Sequence, residues 1–109
     1  MNYYAIAEID LTDPSWVAEY VENVTPMVEA RGGRYLARTQ HLEKLEGKRP
    51  GPGVLLIIEW PSKAAAESFY ESADYAPYRR RREAGARSEL VLVAGEDSSR
   101  ARVHDRGPL

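Results

Sequence analysis

Apolar and polar positions divide the chain into four segments with strand character and two with helical character. The strand segments are residues 3–11, 34–41, 54–60 and 88–94, and residues 42–47 are a possible extension of the second. In the first of them, Ala5, Ala7 and Ile9 alternate with residues of the other face, which is the period of a pleated strand. Residues 54–58 and 90–93 are continuous apolar runs, which indicates strands covered on both faces.

The first helical segment has signals at both ends. Asp13 is suited to the N-cap and Pro14 to the first helical position. Apolar residues then recur at helical spacing between residues 17 and 28. Pro26 predicts a kink or an end near Val24, and Gly32 is suited to close the helix.

The second helical segment begins after Ser62, which is a suitable N-cap. We expect a break near residues 72–74, followed by a further segment over 75–84 that Asp74 caps and Gly85 ends. The element order is therefore β-α-β-β-α-β. This order predicts an α+β fold of the ferredoxin-like type, with a four-stranded antiparallel sheet and its helices on one face.

The predicted domain spans residues 1–95, and residues 96–109 form a polar C-terminal tail with little to bury. One sheet face remains uncovered by helices, yet the third and fourth strands are apolar on both sides, and Tyr4 and Ile6 add to the open face. A monomer rarely leaves such a patch exposed. We therefore expect a homodimer that packs two open faces together.

The amino-acid composition and the net charge exclude several classes of function. The 109 residues fit one domain, and the absence of cysteine excludes disulfides, thiolate metal sites and a cysteine nucleophile. The net charge of −2 gives no general attraction to nucleic acid, and no apolar run approaches the length that spans a bilayer. We expect a cytoplasmic protein with no membrane or nucleic-acid partner, no bound metal and no cofactor of its own.

Several short motifs occur in a distinctive order. They are residues 10–14 (DLTDP), 32–38 (GGRYLAR), 57–62 (IIEWPS), 72–75 (SADY) and 89–95 (ELVLVAG), with Tyr20 in the first helix and Phe69-Tyr70 in the second. In order and spacing the chain resembles domain-of-unknown-function family thirteen-thirty (DUF1330). The resemblance implies a dimeric α/β barrel of ferredoxin-like fold. Relatives in that superfamily include cofactor-independent monooxygenases, isomerases, cyclases, haem-dependent peroxidases and ligand-binding regulators, so the resemblance implies a fold more than a reaction.

Strand periodicity yields a candidate catalytic group. If strict alternation holds, Glu8, Arg38 and Glu59 line the open face inside the dimer barrel. Two carboxylates beside one guanidinium in a partly dry space can hold one carboxyl protonated for acid or base work. The alternative is an ion-pair network that fixes the register of the dimer.

His41 is the one histidine inside the predicted domain, and it is a candidate proton shuttle or haem-type ligand. The alternative is a solvated residue at a strand end. The run Arg79–Arg82 suits an anionic group, but four consecutive arginines surround a helix, so we interpret the run as a solvated face near a helix C-terminus.

Aromatic residues concentrate where the helices should meet the sheet. Tyr20, Tyr35, Trp60 and Tyr70 are candidate substrate-binding residues for a planar ligand, or alternatively fillers of a small core. Two functions remain open. One is an enzyme that binds an apolar or aromatic metabolite and performs isomerisation, cyclisation or cofactor-free oxygenation; the other is a non-catalytic ligand-binding or structural assembly module. An open pocket favours the enzyme, and a fully packed barrel favours the module.

Overall fold

The computed structural model describes residues 1–101, which form one antiparallel sheet with helices on one face. The elements are β1 (Tyr3–Leu11), a 3-10 turn (Pro14–Trp16), α1 (Val17–Ala30), β2 (Arg34–Thr39), β3 (Val54–Trp60), α2 (Lys63–Tyr70), α3 (Ala76–Gly85), β4 (Ala86–Ala94) and α4 (Ser98–Ala101). The strand order is β2-β3-β1-β4. The predicted α+β, ferredoxin-like arrangement is confirmed. The predicted tail lies largely outside the described residues, at 102–109.

The register assigns each residue of the sheet to a face. Ala5 of β1 is opposite Ile58 of β3 and Leu92 of β4, and Ile6 is opposite Ile57 and Val91. Directly opposed residues of antiparallel strands share a face. The odd-numbered residues of β1 therefore lie under the helices, as expected, and the even-numbered residues lie on the open face.

The first helix is entered as predicted and does not end at Pro26. The carboxylate of Asp13 accepts a hydrogen bond from the Ser15 N–H, and Pro14 starts the 3-10 turn. Helix α1 then continues through Pro26 to Ala30, so the predicted end near Val24 is wrong. Burial of the apolar face on both sides of the proline, at Val24 and Val28, explains why packing outweighs one lost hydrogen bond.

The helix closes where glycine is required. Gly32 has φ +89°, a backbone conformation that other residues rarely adopt. The next residue, Gly33, is buried against Val28 and Trp60, where a Cβ atom would lie 2.5 Å from the Val28 Cγ1 atom. The pair therefore combines a left-handed turn with close approach of β2 to the core.

The second helical region divides as expected, with a different cap. Ser62 accepts from the Ala65 N–H and starts α2. Before α3, the Ser72 hydroxyl accepts from the Tyr75 N–H and donates to the Phe69 carbonyl, so the assignment of the cap to Asp74 is wrong. Because Ser72 already bridges the end of α2 and the start of α3, the exposed Asp74 is not needed there.

Strand β2 departs most from the sequence prediction. It ends at Thr39, and residues 42–47 do not extend it. Its pairing with β3 slips between Tyr35 and Ala37, which places a β-bulge at Leu36. A bulge inserts one extra residue and reverses the alternation beyond it. This irregularity determines which face receives the later side chains of β2.

The core lies between the sheet and the helices. Its buried cluster consists of Val24, Val28, Ile58, Trp60, Ala66, Phe69 and Tyr75. The rings of Trp60 and Phe69 stack at 5.5 Å, and those of Phe69 and Tyr75 approach to 4.3 Å. Within residues 1–101, no helix has the length and apolar character needed to cross a membrane.

Candidate ligand-binding cavity

A cavity of about 500 Å³ lies between the helix-facing side of the sheet and helices α1 to α3. Its walls are mainly aliphatic and aromatic. The sheet contributes Ala5, Ala7, Ile9, Leu56, Ile58, Trp60 and Leu92, and the helices and their connections contribute Trp16, Tyr20, Val24, Ala66, Phe69, Tyr70 and Tyr75. The cavity lies within one chain, at the helix–sheet contact where the aromatic candidates were expected, and not on the open face where the catalytic group was expected.

Two tyrosines and one arginine form a polar cluster at this cavity. The hydroxyl oxygens of Tyr20 and Tyr75 are 2.6 Å apart, and Arg82 Nε donates to the Tyr75 oxygen over 3.4 Å. Tyr75 is 3% exposed and Arg82 is 6% exposed. The three side chains come from α1, from the residue preceding α3, and from the last turns of α3, so packing of these helices assembles the cluster.

The protonation states of the cluster follow from burial and proximity. Burial, and then the neighbouring Tyr75 phenol, raise the pKa of Tyr20, so Tyr20 is neutral and can donate a hydrogen bond. Burial opposes the charged form of Arg82, but the phenol oxygens of Tyr75 and Tyr20 outweigh it, and the pKa of Arg82 is raised. Arg82 therefore keeps its positive charge although it is buried.

Arg38 lines the same cavity, and not the open face. Its Nη1 donates to the Thr25 hydroxyl over 2.8 Å, and its guanidinium lies 4.0 Å from the centre of the Tyr35 ring. The predicted sharing of one face by Glu8, Arg38 and Glu59 is therefore wrong. The bulge at Leu36 is the cause, because it turns Arg38 to the side of Leu56, opposite which it pairs.

The two carboxylates of the predicted group do lie on the open face. Glu59 forms an ion pair with Arg34 at 3.0 Å and accepts a hydrogen bond from the Tyr4 hydroxyl at 3.4 Å. Glu8 is exposed and lies opposite Glu89 of β4. Arg34, and not Arg38, is therefore the arginine beside Glu59, and neither carboxylate reaches the cavity.

His41 lies outside both groups. It follows the end of β2, is exposed, and its backbone N–H donates to the Thr39 hydroxyl. It does not line the cavity, in agreement with the alternative interpretation of a solvated strand end. Among residues 1–101, no group of three or more histidine, aspartate or glutamate side chains is arranged to hold a metal ion.

The predicted aromatic residues Tyr20, Tyr35, Trp60 and Tyr70 all line the cavity. Trp60 is 2% exposed and belongs mainly to the core, while the three tyrosines are half-buried. Burial raises the pKa of Tyr35, an effect that the nearby Arg38 opposes. The structure therefore brings the predicted substrate-binding residues together, whereas it separates the predicted catalytic residues.

Sequence reasoning missed the pairing of Tyr75 with Arg82. Arg80 and Arg81 are exposed, as interpreted for the arginine run, and Arg81 pairs with Glu19. Arg79 is half-buried over the Tyr70 ring and pairs with Glu83. Arg82 is the exception, since it is buried. The available signal was spacing: Arg82 follows Tyr75, the residue that precedes α3, by seven residues or about two helical turns, so the two side chains lie on the same side.

Several solved structures have a fold similar to that of this chain. Solved structures that resemble the chain include a protein of unknown function from Rhodopseudomonas palustris (TM-score 0.75, 19% identity, 88% of this chain and 83% of that chain covered). They also include SnoaB, a cofactor-independent oxygenase from Streptomyces nogalater (TM-score 0.64, 12% identity, 88% and 94% covered). A third is Rv0793 from Mycobacterium tuberculosis (TM-score 0.55, 15% identity, 89% and 97% covered).

At these identities the likeness concerns the fold, and it supports the ferredoxin-like assignment. A search of curated proteins gave no match. A family model, in contrast, matches residues 2–96, which is nearly the whole predicted domain and includes every strand and helix that borders the cavity. The chain therefore belongs to the family described as a domain of unknown function, DUF1330.

Proposed function

We propose that this protein binds an apolar, largely aromatic small molecule in the cavity between the sheet and the helices. The cavity of about 500 Å³ is the observation that carries the proposal. Its volume falls within the range of about 300–1,000 Å³ typical of small-molecule sites, which combine apolar walls with a few converging polar groups. Protein interiors otherwise contain few voids larger than a water molecule, so a purely structural module has no need of this space.

The polar groups at the cavity favour proton transfer next to a carbonyl or phenol. In this step a substrate C–H bond breaks, its electron pair shifts onto the oxygen, and a carboxylate accepts the proton. Of the Tyr20 and Tyr75 hydroxyls, one donates to the other, and the second is free to donate a hydrogen bond to the oxygen as it gains charge. Glu67 and Glu71 line the cavity, and we assign the proton acceptor to this pair. In isomerisation or cyclisation, the proton then returns to another atom of the product.

Likeness to SnoaB supports oxygenation as a second outcome of the same step. In that case O2 accepts the electrons of the deprotonated carbon. One oxygen atom enters the product, so that a CH2 group becomes a carbonyl, and the other oxygen atom leaves as water. Both outcomes need the same bound, ionised substrate, so they share the binding site proposed above.

We further propose that a second copy of the chain covers the open sheet face. Val91 is 56% exposed and Val93 is 40% exposed there, beside Ile6 and Ile57. Burial of such side chains stabilises association by about 25 cal/mol for each Å² removed from water. A cytoplasmic location and the absence of a nucleic-acid partner remain predictions from composition.

The test is binding of the neutral, apolar fluorophore N-phenyl-1-naphthylamine. We expect the wild-type protein to bind it with enhanced fluorescence, and Ala7→Leu, which fills part of the cavity, to weaken binding about tenfold. Ala64→Leu makes the same change at an exposed position of α2 that does not line the cavity, and should bind as the wild type does. Equal binding by both variants, or no binding by the wild type, would contradict the proposal.

A further inference from the structure

Arg82 is a buried cation without a carboxylate partner among the described residues. Its exposure is 6%, and its hydrogen bond from Nε goes to the phenol oxygen of Tyr75. The ion pairs within residues 1–101 involve Arg34, Arg79 and Arg81 instead. Buried charges in proteins are ordinarily paired, because desolvation of an unpaired ion is costly. Arg82 can therefore bind an anion that residues 1–101 do not supply.

Arg82 lies between an apolar cavity and a polar hollow. On one side it lines the apolar cavity with Tyr20 and Tyr75. On the other side it borders a polar hollow lined by Glu83, Ser88 and Glu89, and neither glutamate forms an ion pair with it. Those two carboxylates are exposed to solvent, which screens their charge. The positive charge of Arg82 is therefore least compensated on the side of the cavity, where most of the lining side chains are apolar.

We infer that the ligand of this cavity carries an ionised oxygen, a phenolate, enolate or carboxylate, that binds the Arg82 guanidinium beside the Tyr20 and Tyr75 hydroxyls. The inference rests on the proposed function and deepens it by naming the class of ligand. A planar guanidinium offers several N–H donors in a fixed fork, and charge-assisted hydrogen bonds are about twice as strong as neutral ones. The apolar walls hold the remainder of the ligand, and the cluster holds its charged atom.

Two probes of nearly equal size test this inference. One is 4-nitro-1-naphthol at a mildly alkaline pH, where it is ionised, and the other is 1-methoxy-4-nitronaphthalene, which is neutral. We expect the wild type to prefer the anion, and Arg82→Gln to reduce the ratio of anion to neutral affinity about tenfold or more. Arg81→Gln changes the net charge equally at an exposed position paired with Glu19, and should leave the ratio unchanged.

The outcomes separate the two proposals. If the wild type binds the neutral probe and Arg82→Gln keeps the wild-type ratio, the inference is overturned and the proposed function stands. If the wild type binds neither probe, both are overturned. Circular dichroism checks folding of each variant. If Arg82→Gln does not fold, Arg82→Lys is measured instead: it keeps the charge but loses the planar fork, so the ratio should fall severalfold, and an unchanged ratio overturns the inference.

Discussion

The hydroxyl oxygens of Tyr20 and Tyr75 lie 2.6 Å apart and join α1 to the residue that precedes α3. The rings also meet edge to face, with centroids 6.1 Å apart. Tyr75 has a second polar partner, Arg82, so its hydroxyl connects all three members of the cluster. This single oxygen therefore contributes both to stability and to the polar end of the cavity.

We expect Tyr75→Phe to lower the free energy of unfolding by about 1–3 kcal/mol, because it leaves the Tyr20 hydroxyl and the Arg82 Nε without their partner. Urea unfolding followed by circular dichroism measures the change. Tyr78→Phe is the matched control: Tyr78 is half-buried, and within residues 1–101 its hydroxyl forms no hydrogen bond. Equal losses in the two variants would show that the hydrogen bonds of Tyr75 contribute nothing.

The junction between α3 and β4 depends on the absence of a side chain at residue 85. The Trp16 Nε1 donates to the Gly85 carbonyl over 3.2 Å, and a Cβ atom on Gly85 would collide with the Trp16 indole. We expect Gly85→Ala to destabilise the protein by about 1–3 kcal/mol through overpacking. Thermal unfolding measures this, with Gly51→Ala as control, since a Cβ atom there meets nothing within 4 Å. A Gly85→Ala variant with unchanged thermal stability would contradict the close packing of Trp16 on Gly85.

Most of the fold could be predicted because its signals are local. The alternation in β1, the caps at Asp13 and Ser62, and the apolar run of β3 each depend on a few neighbouring residues, and the structure confirms them. Of the two expectations for Pro26, a kink or an end near Val24, the end was wrong because local proline geometry was weighed without tertiary packing. Local signals thus suffice for element order and fail where packing decides.

The candidate site was less predictable, for two physical reasons. No glycine or other sequence signal marks the bulge at Leu36, yet this bulge alone moves Arg38 from one face of the sheet to the other. Burial of Arg82 within a run of arginines depends on the phase of α3, which follows from how α3 packs on α1. The aromatic lining was predictable, because large aromatic side chains are usually at least partly buried, and the core of this fold lies between the helices and the sheet.

The bulge itself provides a matched pair of variants in β2. Arg38 lines the cavity, whereas Arg34 lies on the open face with its side chain 70% exposed. We expect Arg38→Ala to weaken binding of N-phenyl-1-naphthylamine a few-fold, since the Tyr35 ring loses the guanidinium packed over it. Arg34→Ala should leave binding unchanged, because its surface ion pair contributes little. If Arg34→Ala weakens binding and Arg38→Ala does not, Arg38 does not line the binding site.

Self-association can be tested on the open face without touching the cavity wall beneath the helices. We expect Val93→Glu to convert a dimer into a monomer, because it introduces a charge into the apolar patch at a position that is 40% exposed in the single chain and does not line the cavity. Light scattering coupled to size exclusion measures the mass. Leu45→Glu makes a comparable change at a loop position 93% exposed and should remain dimeric. A wild-type protein that is already monomeric would refute the proposed dimer.

Alkaline pH should destabilise the protein through its buried phenols. Burial raises the pKa of Tyr20 and, against the effect of Arg38, that of Tyr35, relative to the ordinary value of 10.0. The folded state therefore keeps protons that the unfolded state releases once the pH exceeds about 10. Stability from these two groups is fully present below that pH and is lost as the pH rises above it.

Urea unfolding at a series of pH values between neutral and strongly alkaline measures this dependence. We expect the free energy of unfolding to decline above about pH 10, and Tyr20→Phe to reduce the steepness of the decline, because one fewer proton is retained on folding. The variant starts from a lower stability, since Tyr75 loses its hydroxyl partner. The slope and not the starting value is therefore the quantity to compare. An unchanged slope in Tyr20→Phe would mean that Tyr20 ionises as readily in the folded protein as in the unfolded chain.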